Sequence, residues 1–227
     1  MRRVPSQELL DEDLGSPEEI RQSFDDLWRI NRYLGGVSGC LHLLDQFFAR
    51  TGPHPVRILE VGSGDGRLAA RLRDELMQRG VRAEFVTLDC RLSHLRYGDG
   101  SAAGVSPVVA DVFNIPFSRD SFELVICNLF FHHFSGERAT ELLQRLFEVA
   151  SKAVLINDLE RHPLPYFFIH FALPFARSRI TRHDGPASVR QAYTRDELQQ
   201  MAEQAGFRHF DVERLPAYRL GLTLWKQ

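Results

Sequence analysis

The stretch that decides the fold is Arg57-Ile58-Leu59-Glu60-Val61-Gly62-Ser63-Gly64-Asp65-Gly66-Arg67-Leu68-Ala69. An apolar run enters three glycines at alternate positions, and a helix-forming run follows. Glycine adopts positive φ without steric cost and lets the backbone approach a ligand closely. The helix that begins there offers unpaired N–H groups at the same point. The pattern predicts a strand–turn–helix unit that cradles a nucleotide-type ligand.

Outward from this unit the same rhythm repeats. Strands are expected at 56–61, 84–88, 106–110, 122–127 and 153–157, with helices over 67–79, 92–97 and 136–150. Such alternation predicts an α/β fold with a doubly wound, mostly parallel sheet covered on both faces. Two late segments, 207–215 and 218–226, are divided only by Pro216-Ala217 and read as an antiparallel C-terminal hairpin, giving seven strands. Upstream, Ser16-Pro17-Glu18-Glu19 is a helix start, with a cap, proline at the first position and carboxylates in the first turn. Gly35-Gly36 breaks that helix, and a second runs over about 37–49. Residues 1–16 are acidic and polar and are expected to fray. The organisation is therefore an N-terminal helical cap (1–50) and a main domain (51–227) carrying an inserted helical lid (159–192). In that insert, 178–186 reads as a polar loop, and Thr194-Arg195-Asp196-Glu197 beyond it is a capping box opening a helix to about 204.

Composition narrows the function classes. The 227 residues are 44% hydrophobic and 26% charged with a formal net charge of −2, which fits a globular α/β domain and argues against a nucleic-acid partner. Cys40, Cys90 and Cys127 form no CxxC pair, and their odd number suits reduced thiols in a cytoplasmic protein. The N-terminus has no signal-peptide h-region. The longest apolar stretch, 164–175, contains His170 and two prolines and is too short for a membrane span.

The glycine turn departs from two common nucleotide motifs. A dinucleotide fingerprint would need glycine where Arg67 stands, and no Lys-Ser or Lys-Thr follows, so it is not a P-loop. Instead Glu60 opens an E-x-G-x-G-x-G pattern. With Asp89 at the end of the second strand, Ala110-Asp111-Val112-Phe113-Asn114-Ile115-Pro116-Phe117, and Ser121-Phe122-Glu123-Leu124-Val125-Ile126-Cys127-Asn128, the chain resembles the class I S-adenosylmethionine-dependent methyltransferases and their Rossmann-like sheet. The resemblance implies S-adenosyl-L-methionine as cofactor. It implies that Glu60, Gly62, Gly64 and Gly66 meet the methionine end, that Asp89 with its neighbour Cys90 meets the ribose, that Asp111 and Val112 meet the adenine, and that Asn128 borders the site. Any one of these acids alone is readily a turn former, but all lie at strand carboxyl ends, where open α/β sheets bind ligands.

Methyl transfer is an in-line displacement that needs alignment more than acid–base power. A base helps when the acceptor is a phenol. Asn128-Leu129-Phe130-Phe131-His132-His133-Phe134 sits where the resemblance implies substrate-facing residues, which makes His132 or His133 the candidate catalytic base. The alternative is that one caps the next helix and the other packs under aromatics. Adjacent histidines lack i, i+4 spacing and no carboxylate cluster is evident nearby, so no metal is expected. Asp158 at the end of the fifth strand, Tyr166 and Phe167 in the insert, and His183 beyond it are candidate substrate contacts. The insert could equally bury its aromatic face on the domain or in a homodimer contact. The chain is also similar to bacterial small-molecule methyltransferases of phenolic and polyketide pathways. That likeness implies O-methylation of a small aromatic acceptor. The alternatives are C-methylation of a quinone precursor, a non-catalytic adenosyl-binding partner subunit, and a nicotinamide dehydrogenase.

Overall fold

The computed structural model describes residues 1–97 and 104–226. Helix α1 (Pro17–Tyr33) starts in a complete capping box: the Ser16 hydroxyl accepts from the Glu19 N–H, and the Glu19 carboxylate accepts from the Ser16 N–H. Gly35, at φ 83°, turns the chain into α2 (Gly36–Thr51). There follow β1 (Val56–Val61), α3 (Arg67–Gln78), β2 (Ala83–Asp89), the single turn α4 (Leu92–Leu95), β3 (Val105–Val109), β4 (Phe122–Asn128), a 3-10 turn at Phe131–His133, α5 (Glu137–Val149) and β5 (Ala150–Leu159). The insert folds as α6 (Pro163–Ala172) and α7 (Arg179–Gln191). Helix α8 (Arg195–Gln204), β6 (Phe210–Leu215) and β7 (Arg219–Trp225) close the chain.

The seven strands lie in the order β3-β2-β1-β4-β5-β7-β6, with β7 antiparallel to both its neighbours and the other pairs parallel. Order reverses between β1 and β4, so a ligand crevice is expected at their carboxyl ends. One core covers one sheet face, from Leu59, Val61 and Val125 to Leu142, Leu146 and Leu222. A second covers the other, joining α2 and α3 through Leu43, Leu44, Phe47, Leu72 and Leu76 to Ile58, Phe85 and Leu155. Because β1, β4 and β5 are buried on both faces, they are near-continuous apolar runs rather than alternating ones.

Two expectations are corrected. Residues 178–186 are not a loop but the start of α7, whose Ser178 hydroxyl accepts from the Ile180 N–H. Residues 1–16 are not frayed. The Val4 N–H donates to the Arg190 carbonyl, and the Asp184 carboxylate accepts from the N–H groups of Leu9 and Leu10 at 2.9 and 3.0 Å. Arg3 donates to the carbonyls of Gln191, His132 and Phe134 while stacking over Tyr193. The arm has no regular secondary structure; side chains distant in sequence hold it in place of a helix or strand ladder.

Candidate functional site

The glycine turn sits where β1 ends. Gly62, Gly64 and Gly66 take φ of 61°, 55° and 73°. A side chain at Gly62 would strike the Phe130 ring, and one at Gly64 would lie 2.8 Å from the Phe24 ring. Glycine is thus demanded at both positions by backbone conformation and by space. The Phe24 ring comes from α1, so the cap closes over the turn, edge-on to His94.

Glu60 is buried at the end of β1, and its Oε2 has no hydrogen-bond partner. Burial, aided by the nearby Asp65, pushes its carboxyl up to about 8. An orphaned buried carboxylate oxygen beside a glycine turn is matched by a ligand's ammonium. Asp89 ends β2, with one oxygen accepting from the Gly64 N–H at 2.9 Å and the other from the Arg91 N–H at 3.0 Å. His94 Nδ1 stands a further 3.3 Å from the oxygen that faces Arg91, and the oxygen that faces Gly64 has a lone pair for a further donor. Cys90 is exposed. Asp111 accepts from the Phe113 N–H at 2.9 Å in an Asx turn, and Val112 is buried beside it. The buried Asn128 accepts from the Asn157 amide at 3.0 Å and donates to Asn31 at 2.9 Å, so it ties β4 to β5 and α1. These residues fit an amino-acid-bearing nucleoside: an acid at one end, a roofed glycine cradle, and carboxylates spaced along the sheet edge.

The residues expected on the acceptor side converge more tightly than the sequence suggested. His132 is 2% exposed in the 3-10 turn after β4. Its Nδ1 lies 2.6 Å from Asp158 Oδ1, and its backbone N–H donates to Asp158 Oδ2 at 2.9 Å. Burial alone would push the imidazole down, but Asp158 and Glu8 outweigh it and bring it up to about 10. Asp158 is held below the usual carboxylate range, the imidazolium overcoming its burial. His133 is half-buried, with its Nδ1 2.5 Å from Asp11. The expectation that no carboxylates gather here is therefore wrong: Glu8 and Asp11 arrive from the N-terminal arm. Glu8 accepts from Ser188 at 2.7 Å and from Gln191 at 2.5 Å.

The insert presents a different picture. Helix α6 buries none of its residues; Tyr166 is half-buried and Phe167, Phe168, Phe171 and Phe175 are exposed. His183 lies on α7, 2.7 Å from Asp184, the residue that clamps the arm. Sequence reasoning missed Glu8 and Asp11, whose only signal was an acidic arm. It also missed Arg219, wholly buried at the head of β7, which donates to the Leu34 carbonyl at 2.5 Å and leaves both terminal nitrogens without a partner. Burial brings its guanidinium down to about 10.

Residues 58–153 match the family model of the methyltransferase domain. An uncharacterized methyltransferase of Schizosaccharomyces pombe is 27% identical over 48% of this chain, a match that spans 41% of that protein's length. A SAM-dependent methyltransferase from Aquifex aeolicus superposes with a TM-score of 0.65, at 19% identity over 92% of this chain and 98% of that one. The plantazolicin methyltransferase BpumL, crystallised with a triazolic desmethylplantazolicin analog and S-adenosylhomocysteine, superposes with a TM-score of 0.73, at 14% identity over 96% of this chain and 93% of that one. The solved structures share the Rossmann-like fold of this chain, and the family match spans the strand–turn–helix unit with the glycine turn. BpumL has also been crystallised in complex with S-adenosylhomocysteine, and that structure superposes with a TM-score of 0.71 at 16% identity over 96% of this chain and 93% of that one. Among the described residues no helix is long and apolar enough to cross a membrane.

Proposed function

We propose that the protein transfers a methyl group from S-adenosylmethionine to a hydroxyl oxygen of a small aromatic acceptor. The observation that carries the acceptor side is the buried Asp158–His132 pair at the carboxyl ends of β5 and β4, with His133 beside it. Phe130, two residues before His132, packs against the Gly62 turn, so the pair adjoins the cofactor cradle.

The cofactor supplies an electrophilic methyl group on a sulfonium. Glu60 receives its ammonium, Asp89 its ribose hydroxyls, and Asp111 with the Val112 N–H its adenine. His132, held as an imidazolium by two carboxylates, is a positive charge that favours an acceptor oxygen in its phenolate form. It is therefore a poor proton acceptor near neutrality, and His133 is the base: its Nε2 would take the hydroxyl proton as the methyl–oxygen bond forms and the methyl–sulfonium bond breaks, leaving S-adenosylhomocysteine. Asp11 on Nδ1 fixes the tautomer that leaves Nε2 free. The exposed rings of α6 are an apolar approach for an aromatic acceptor.

The test is turnover with methyl-labelled cofactor against a panel of phenols, with the product assigned by NMR. A new O–CH3 resonance is expected. Retained S-adenosylhomocysteine binding with no transfer to any phenol would remove the acceptor assignment, and a new C–CH3 resonance would move the reaction to ring carbon.

A further inference from the structure

Glu8, His132 and His133 turn one ligand atom each toward a common point, and these atoms lie within 4.8 Å of one another. Glu8 Oε1 is 3.7 Å from His132 Nε2, and Glu8 Oε2 is 3.9 Å from His133 Nε2. These are too long for direct hydrogen bonds. Metal–ligand bonds of about 2.0–2.2 Å in a tetrahedral array set ligand atoms roughly 3.3–3.6 Å apart. Each of these two spacings, which use different Glu8 oxygens, exceeds that range by a few tenths of an ångström, and the three-atom set must draw in from its 4.8 Å limit. The outer partners are also in place, because each histidine has its Nδ1 on a carboxylate, Asp158 at 2.6 Å and Asp11 at 2.5 Å. That pairing fixes the tautomer that presents Nε2 and is the arrangement that supports histidine ligands around metals.

A second observation points to a ligand. His132 Nε2 has no hydrogen-bond partner, although the residue is 98% buried from solvent by its 2% exposure. Nδ1 donates to Asp158, and Nε2 faces the Glu8 carboxylate at 3.7 Å, where a metal ion can take the place of the imidazolium's second proton. The charge around the point agrees. Glu8, Asp11 and Asp158 bring three carboxylates, while the nearby Arg3 guanidinium is spent on the carbonyls of Gln191, His132 and Phe134.

We propose that Glu8, His132 and His133 bind a first-row divalent transition-metal ion, fastening the N-terminal arm to the turn after β4. Two imidazoles with one carboxylate select such an ion over the hard ions Mg2+ and Ca2+, which take oxygen ligands. The remaining coordination positions are open to water or to an acceptor oxygen. For the acceptor the consequence rests on the reading above: a bound ion commits both Nε2 lone pairs, so it, rather than His133, lowers the hydroxyl's hold on its proton.

The experiment uses the tag-free full chain stripped by chelator and titrated with Co2+, then with Zn2+, Mg2+ and Ca2+. The expected result is a visible Co2+ absorption band saturating at one equivalent and displaced by Zn2+. Zn2+, but not Mg2+ or Ca2+, should raise the melting temperature and slow proteolysis within residues 1–13. Glu8→Gln and His133→Asn should each weaken Co2+ binding at least tenfold, and Asp11→Asn should weaken it less. Absence of the band in the wild-type chain overturns the proposal whatever the variants do, and so does a band that survives Glu8→Gln unchanged. S-adenosylhomocysteine binding is measured in the same stripped samples. Cofactor binding without metal binding removes this site alone, and metal binding without cofactor binding removes the methyltransferase reading alone.

Discussion

Glu60 is the residue whose chemistry most depends on what lies beside it. Its carboxyl titrates near 4.5 in the unfolded chain and near 8 in the fold. The folded state thus binds more protons between those values, and the Glu60 contribution to stability should fall as pH rises through that window, adding to the fall that His132, raised to about 10, sustains above it. The slope approaches about 1.4 kcal/mol per pH unit in mid-window. Urea unfolding across pH 5–9 checks this, and Glu60→Gln should lessen the slope below pH 8 while leaving the His132 part above it. A cofactor ammonium favours the carboxylate, so cofactor binding near pH 7 should release a proton. Calorimetry in buffers of different ionisation enthalpy reads that proton directly. For Asp89, loss of charge-assisted bonds of about 1.5–3 kcal/mol each predicts that Asp89→Ala lowers S-adenosylhomocysteine affinity by roughly ten- to a hundredfold. Unchanged affinity would remove its ribose role.

Among the elements, the strands were the most legible in sequence. Val56–Val61 carries no polar residue on a buried face except Glu60 at the ligand edge, and its boundaries match the expected ones. The helix starts at Ser16 and Thr194 were equally plain, since a cap and first-turn carboxylates announce each of them. Thr194→Ala should cost about 1 kcal/mol, seen as a lowered urea midpoint with unchanged m-value. The arm over residues 1–13 was illegible for a physical reason. Its order comes from clamps such as Leu9 to Asp184 and Glu8 to Gln191, which join positions 175 and 183 apart in sequence. No local periodicity encodes such contacts. Half of the candidate site was hidden with it, since His132 and His133 were visible but their partners Glu8 and Asp11 were not. The helix over Arg179–Gln191 was masked by Gly185 and Pro186, which read as loop punctuation until α1 packs against it. Asp184→Ala should free the Leu9 and Leu10 amides and speed proteolysis of the arm while leaving the sheet's hydrogen-exchange protection intact.

At the scale of the molecule, the switch between β1 and β4 sets where everything else gathers. The cap arrives from one side through Phe24, and the arm from the other through Glu8. A ligand that binds only the folded form stabilises it by about 2.7 kcal/mol at a hundred times its dissociation constant. S-adenosylhomocysteine should therefore raise the melting temperature where NAD does not; the reverse would restore a dehydrogenase reading.

The Phe24 ring over Gly64 also bears on kinetics. On the proposed reading, a nucleoside held at the Gly64 turn leaves past the Phe24 ring of α1, and α1 is joined to α7, which in turn holds the arm. Exit of spent cofactor and exchange of the methylated product then share one hinge. Turnover should slow as solvent viscosity rises, with the labelled methyl already transferred and waiting on release.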